Sequence, residues 1–272
     1  MKTILSRIIN RFKPKLKVSI TVCSSRNLLT GRRILITGGG RGIGFYIAKR
    51  CIAEGGEIII TGRNVEHLKE ASKKLNDCPY IPFDITDIGH FDKLLDKCEK
   101  IYDTGIDCLV NNAGISLHEG SIQNVTVDTW NKQFSTNLAA PYFLTQEYLR
   151  RYDKFGKTRG NILFITSERG LYGDDIPYGL IKAALNSLTA GLGRRLLKKG
   201  IYVNAIAPGV TASDMTGYSK NGNLYRQAAC AKRVYLPEEV AEVAVFMLSD
   251  LSNCISSQII PCNNGNHLRC DW

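Results

Sequence analysis

A tyrosine and a lysine stand four apart, at Tyr178 and Lys182, in a stretch that reads as helix. A serine, Ser167, follows an apolar run, and an asparagine, Asn137, lies further back. Residues four apart on a helix project from one face, a turn from each other. A phenol titrates at about 10 in water and is a poor proton donor or acceptor at neutral pH. A lysine ammonium beside it favours the phenolate and draws the pKa towards the working range. Tyr178 can then exchange a proton with a bound oxygen. Ser167, at a strand end, would hydrogen-bond the same oxygen and steady its developing charge. A Tyr-x-x-x-Lys pair alone means little, so the weight falls on what accompanies it.

The first companion is Arg33-Ile34-Leu35-Ile36-Thr37-Gly38-Gly39-Gly40-Arg41-Gly42-Ile43-Gly44. It reads as a buried strand, a glycine turn and, from Phe45 to Ala53, a helix. Such a turn places bare backbone N–H groups and the positive end of a helix dipole at one spot, which suits a pyrophosphate. A Cβ would hold the phosphate away, and some of these positions call for positive φ. The stretch is not a P-loop, because Phe45 and Tyr46 follow Gly44 in place of Lys-Ser/Thr. Nor does it match G-x-G-x-x-G, because the glycines fall at 38, 42 and 44.

Composition narrows the classes. The chain has 272 residues and an ordinary apolar fraction of 44%, enough for a full core. Of the net charge of +11, residues 1–33 carry nine Lys/Arg and no acid. The basic excess belongs to that tail and not to a folded face, which argues against a nucleic-acid partner. Nine cysteines show no Cys-x-x-Cys pair and read as reduced thiols in a reducing, cytoplasmic compartment. The four histidines lack ligand spacing as well, so no metal site is expected.

Residues 1–30 read as a basic extension and 31–272 as one domain. In the extension Ile4, Leu5, Ile8, Ile9 and Phe12 share a helical face that stops near Pro14. The segment is too short and interrupted to span a bilayer. It can lie on an anionic membrane surface through residues 1–13, or dock on its own domain or a partner subunit, or stay loose. Beyond Gly31, apolar strands alternate with helices. Strands are expected at Ile58–Ile60, Tyr80–Phe83, Cys108–Val110, Ile162–Thr166, Val203–Ala207 and Gln258–Ile260. Helices are expected at Val65–Asn76, Phe91–Tyr102, about Asp128–Arg151, Tyr178–Leu197 and Pro237 to about Ser249. This pattern indicates an α/β fold: one doubly wound, Rossmann-like parallel sheet with helices on both faces.

In such sheets ligands sit beyond the carboxyl ends of the strands. The second strand ends Thr61-Gly62-Arg63, about where a dinucleotide site places the acid that binds a ribose 2′-hydroxyl. Gly62 has no carboxylate and Arg63 follows. With Arg41 in the glycine turn, this favours a 2′-phosphate and hence NADP, NAD being the alternative. The competing reading of Arg63 is an arginine solvated at a strand end.

The motifs stand together: Thr37-Gly38-x-x-x-Gly42-Ile43-Gly44, Asn111-Asn112-Ala113-Gly114, Asn137, Ser167, Tyr178 with Lys182, and Asn204-Ala205-Ile206-Ala207-Pro208-Gly209. In this order and spacing they resemble the short-chain dehydrogenase/reductase family over about Gly31 to Gly265. The closest general resemblance is to 3-oxoacyl-[acyl-carrier-protein] reductases and related polyol, sugar and steroid enzymes. The resemblance implies an NADP-dependent reductase or dehydrogenase acting on a carbonyl/secondary alcohol pair, with Asn137, Ser167, Tyr178 and Lys182 as catalytic residues. It gives Gly38, Arg41, Gly42, Ile43, Gly44, Arg63, Asn112, Ala113, Gly114, Pro208, Gly209 and Thr211 to the cofactor, along with Tyr178 and Lys182. Asp84 would take the adenine amino group, Ile85 would pack on the ring, and Asn111 would tie neighbouring strands. A homodimer or homotetramer paired through the long helices is also implied. Glu168-Arg169 replace small residues after the serine, and Ser167 and Tyr178 are 11 apart where 12 or 13 is usual. Asp174 and Asp175 add charge to that loop. The Ser–Tyr loop and the segment Thr211–Ala231 would line the substrate pocket. The alternative from another class is a cofactor-binding regulator or scaffold with little turnover, against which the intact tetrad argues.

Overall fold

The computed structural model describes Leu16 and residues 26–268. The amphipathic reading of residues 1–13 lies outside that range. Seven parallel strands form one sheet: β1 (Arg33–Thr37), β2 (Glu57–Gly62), β3 (Tyr80–Pro82), β4 (Cys108–Asn111), β5 (Gly160–Ile165), β6 (Ile201–Pro208) and β7 (Ile259–Cys262). Their order is β3-β2-β1-β4-β5-β6-β7. The chain winds outward from β1 to β3, then returns to the other side of β1 at β4. That reversal opens a crevice at the carboxyl ends of β1 and β4, where ligands settle in open α/β sheets.

Among the described residues seven helices cover the sheet: α1 (Gly42–Ala53), α2 (Val65–Lys74), α3 (Phe91–Ile101), α4 (Val127–Phe134), α5 (Ala140–Lys154), α6 (Pro177–Leu196) and α7 (Pro237–Leu248). Strand alternation decides which side chain meets which layer. Ile34, Ile36, Ile58, Ile60 and Val110 pack with Ile47 and Cys51 of α1 and Val240 and Ala244 of α7. Leu35, Ile59, Leu109, Ile162 and Phe164 face the other way, onto Leu94 of α3, Leu144 and Tyr148 of α5, and Leu185 of α6. Both faces are apolar, which is why the strands read as unbroken hydrophobic runs. Cys51, Cys98 and Cys108 are buried free thiols, as expected, and burial pushes each thiol up from its ordinary value.

Two local departures from the expected elements matter. The single helix expected over Asp128–Arg151 is α4 and α5 joined by a π turn at Ser135–Ala139. Pro141, in the first turn of α5, has no N–H to give to the carbonyl four residues back, that of Asn137, so the ladder widens there. The last strand begins at Ile259, because the Gln258 N–H is taken by the Asn204 side chain (3.0 Å).

Between β6 and α7 the chain forms a lid over the crevice. It carries its own small core of Ala212, Leu224, Val234 and Leu236 and is pinned by bridges from Thr211 to Tyr235 and from Tyr225 to Arg233. The N-terminal extension touches it at Leu16, whose carbonyl accepts from the Leu224 N–H (3.4 Å) and whose N–H donates to Asn223 Oδ1 (3.2 Å). Among the described residues no helix is long and apolar enough to cross a membrane.

Candidate active site

A cleft of about 670 Å³ runs along the carboxyl ends of β1, β2, β4, β5 and β6. One end is built by the glycine turn. Gly38 and Gly42 have φ of +66° and +55°, the left-handed region that favours glycine. A Cβ on Gly38 would lie 3.0 Å from the Ala113 backbone. Gly44 is constrained by packing and not by a ligand, because its Cβ would strike the Gly38 carbonyl (2.5 Å) and the Asn112 amide. The Gly38 and Gly39 N–H groups bond the Thr61 carbonyl (2.8 and 3.3 Å), so they serve the turn itself. Arg41, at the start of α1, supplies no side-chain cap, and the first turn holds no acid. The helix end is therefore left for an anion, and the cradle fits a dinucleotide pyrophosphate.

Thr37 and Asn112 hold that cradle together. Thr37 Oγ1 donates to the Val110 carbonyl and accepts from the Asn112 and Ala113 N–H groups (both 3.0 Å). Asn112 Nδ2 donates to the carbonyls of Thr37 (2.9 Å) and Gly38 (3.2 Å). The tie between β1 and β4 is thus made by Asn112, while Asn111, expected in that role, reaches Thr145 Oγ1 of α5 (3.1 Å). The Thr37 contribution lay inside the Thr-Gly motif but was not singled out.

Arg41, Gly42, Ile43, Arg63, Asp84, Ile85, Ala113, Gly114, Pro208, Gly209 and Thr211 all line the cleft, as do Tyr178 and Lys182, whereas Gly44 stands behind it. Arg63 is exposed at the rim. Asp84 keeps one oxygen on Thr86, accepting from its N–H (2.9 Å) and hydroxyl (2.8 Å). Arg41 is not held beside Arg63: its Nη1 lies 3.2 Å from Asp214 Oδ2 on the lid. The lid residues Ser213, Asp214, Met215 and Thr216 complete the wall.

At the other end of the cleft, Ser167, Tyr178 and Lys182 come together. Ser167 follows β5 and opens a 3₁₀ turn at Glu168–Gly170, its Oγ accepting from the Arg169 N–H (3.2 Å). Ser167 and Tyr178 both line this end of the cleft. Lys182 is buried at 4% exposure, its Nζ donating to the Ile165 carbonyl (2.9 Å) and lying 5.5 Å from the Tyr178 ring centroid. Asn137 is not at the same point. It sits in the π turn, with Nδ2 on the Ile115 carbonyl (2.7 Å) and Oδ1 accepting from the Ile115 N–H (2.8 Å), so it fixes the chain leaving β4.

The electrostatics differ from the sequence expectation in one respect. Burial pushes the Tyr178 phenol up from its ordinary value, and the groups that pull it back are the Ser167 hydrogen bond and the Arg169 charge. Lysine is not among them. Burial draws the Lys182 ammonium down to about 8, because no carboxylate faces it to offset desolvation.

The family is decided by comparison with known sequences. A family model described as short chain dehydrogenase matches residues 32–223. The chain belongs to the short-chain dehydrogenase/reductase family. It is 31% identical over 246 residues to 3-oxoacyl-[acyl-carrier-protein] reductase of Aquifex aeolicus, covering 87% of this chain and 98% of that one. It is 32% identical over 248 residues to gluconate 5-dehydrogenase of Gluconobacter oxydans, covering 87% and 95%. A short-chain dehydrogenase/reductase structure from Mycobacterium ulcerans superposes with a TM-score of 0.81 at 26% identity, over 89% of this chain and 91% of that one. ElxO with NADP bound superposes with a TM-score of 0.77 at 27% identity, over 88% and 99%. The chain is therefore an NAD(P)-dependent oxidoreductase of this family.

The depressed lysine gives a test of the site's electrostatics. Below pH 8 the Lys182 ammonium is charged in both folded and unfolded chains, and its burial cost is felt in full. Between about 8 and the ordinary lysine value the folded chain has released the proton and the unfolded chain still holds it, so stability rises with pH. Denaturant titrations of wild type and Lys182→Met should show the wild type gaining on the variant by roughly 3 kcal/mol between pH 7 and 10.5. A pH-independent difference would show that Lys182 stays charged.

Proposed function

We propose that this chain is an NADP-dependent oxidoreductase interconverting a carbonyl and a secondary alcohol, with Tyr178 as the acid–base group. The observation that carries the reading is the placing of Ser167, Tyr178 and Lys182 together on the wall of a cleft whose far end is a glycine cradle. Nicotinamide, when bound, supplies or takes the hydride. The protein's part is to hold the substrate oxygen and move its proton. Ser167 donates to that oxygen and stabilises the charge that develops on it. Tyr178 gives the proton in reduction and takes it in oxidation. Lys182, with Nζ 5.5 Å from the tyrosine ring centroid, would hold the nicotinamide ribose. Tyr178→Phe keeps the packing and removes the transferable proton. It should abolish nearly all turnover on a ketone panel while leaving NADP(H) binding within a few-fold. A variant retaining a tenth of the wild-type rate would remove Tyr178 from this role.

The cofactor preference rests on charge. A 2′-phosphate carries nearly two negative charges and matches the donor fork of a guanidinium. Arg63 lies at the rim beside Gly62, where no carboxylate opposes it. Arg41 is engaged with Asp214, but both side chains are mostly exposed, so the pair contributes little and is readily exchanged for a phosphate. A partly desolvated arginine–phosphate contact contributes about 1.5–3 kcal/mol, or roughly ten- to a hundredfold. Arg63→Ala should lower kcat/KM for NADPH by about that factor and barely change NADH, and Gly62→Asp should reverse the order. Equal use of both cofactors by wild type would overturn the assignment.

The same reading includes self-association. Val127 and Trp130 of α4, Tyr142 and Phe143 of α5 and Leu180 of α6 are exposed apolar side chains on the helices that the family uses for pairing. Light scattering at micromolar concentration should give a dimer or tetramer, and a monomer would remove the idea.

A further inference from the structure

The wall that carries Ser167 is held from behind by a buried polar cluster. Ser167 lines the cleft, but Glu168, the next residue, does not. Glu168 is 6% exposed, and its Oε2 accepts from two side-chain amides, Asn263 Nδ2 (3.1 Å) and Asn266 Nδ2 (2.9 Å). A carboxylate buried this far is tolerated only where donors face it. Both amides are oriented at their other end as well. Asn263 Oδ1 accepts from the Gly265 N–H (3.2 Å) and lies 3.1 Å from His267 Nδ1. Asn266 Oδ1 accepts from the Cys230 N–H of the lid (3.1 Å). Each amide thus meets a donor at its oxygen and the carboxylate at its nitrogen. The network runs in one sense, and Glu168 is its common acceptor.

The cluster gathers three segments of the wall that are far apart in the chain. The first is the 3₁₀ turn that Ser167 opens, which contains Glu168 itself. The second is the end of β6. Gly209 lines the cleft, and a Cβ there would fall 3.0 Å from Asn263 Cβ and 2.7 Å from the Tyr235 ring, so Asn263 presses on the outer side of the wall. The third is the lid, reached through Asn266 and Cys230. Glu168 joins them at a single oxygen. The turn cannot rotate without breaking these bonds, so the serine keeps its place relative to the Gly209 backbone.

We propose that Glu168 is a positioning residue, which through Asn263 and Asn266 holds Ser167 in register with the Gly209 wall and the lid. The inference rests on the oxidoreductase reading above and adds to it a residue that touches neither substrate nor cofactor. It also gives a role to a carboxylate that stands where the family resemblance implies a small side chain. A merely structural staple would stabilise the fold and leave the chemical step alone. That is where the two separate.

The experiment measures kcat on an accepted ketone with NADPH, NADP(H) binding and the thermal midpoint in Glu168→Leu and Glu168→Gln. Leucine removes the acceptor and should lower kcat about tenfold or more, with NADP(H) binding within a few-fold. Glutamine keeps one oxygen for both amides and should restore kcat to within about threefold of wild type. Placed on Ser167→Ala, the same Glu168→Leu change should cost less than about threefold, because the group it positions is gone. Asn266→Ala, at a half-buried site, cuts one arm only and decides the matter if the leucine variant does not fold. It should lower kcat by about threefold or more, and again not on Ser167→Ala. A lowered midpoint with kcat unchanged, or an equal loss with and without Ser167, would overturn the proposal. Hydrogen exchange reads the anchor without turnover: Glu168→Leu should speed exchange at the Gly265 and Cys230 N–H groups, and Glu168→Gln should not. If wild type reduces no ketone, the oxidoreductase reading falls, and faster exchange in Glu168→Leu still leaves Glu168 as the anchor of this wall. Unchanged exchange beside an active wild type would remove the anchor and keep the reading.

Discussion

The site depends on the seam between β1 and β4, where the order of the sheet reverses. Five hydrogen bonds cross it through two side chains, Thr37 and Asn112. They satisfy backbone groups that the strand ends would otherwise leave unpaired, and an unpaired buried group costs about 1–3 kcal/mol. They also set the shape of the glycine turn, because the Asn112 amide lies in the space that any Cβ on Gly44 would need. Backbone approach to a phosphate is therefore fixed by side chains on the neighbouring strand. The turn is not an autonomous motif.

A second seam positions the chemistry. The 3₁₀ turn after Ser167 is pressed onto α6, with Gly170 so close to the Lys182 backbone that a Cβ would collide, and with the Gly170 carbonyl accepting from Asn186 Nδ2 (2.9 Å). Arg169, Asp174 and Gly179 close the same loop from the other end. Serine and tyrosine are thus registered by contacts among six loop and helix residues. The Arg169–Asp174 ion pair closes this loop. Desolvation of Lys182 is the energetic cost of this compact arrangement, since its ammonium meets the Ile165 carbonyl and no counter-charge offsets its burial.

The sequence made some of this legible because the signals are local. Apolar runs, the glycine spacing and Tyr178 one turn from Lys182 are properties of short stretches, and they placed the sheet and the cleft. What escaped is carried between stretches distant in the chain. Asn111 and Asn112 are adjacent in sequence, and only the strand's pleat decides which faces β1 and which faces α5. Pro141 showed no sign of widening the turn at Asn137 until the helix was continuous on both sides. Arg41 looked like a partner for Arg63 because both flank the same crevice, but Asp214, 173 residues away, is the group that meets it.

That last contact bears on how the cleft works. The lid carries its own apolar cluster of Ala212, Leu224, Val234 and Leu236. Its tie to the glycine turn through Arg41 and Asp214 is exposed and contributes about 0–1 kcal/mol. A strong link here would oppose entry of any ligand that needs Arg41, because the guanidinium would have to leave a buried partner first. A weak one lets a phosphate take the arginine at little cost.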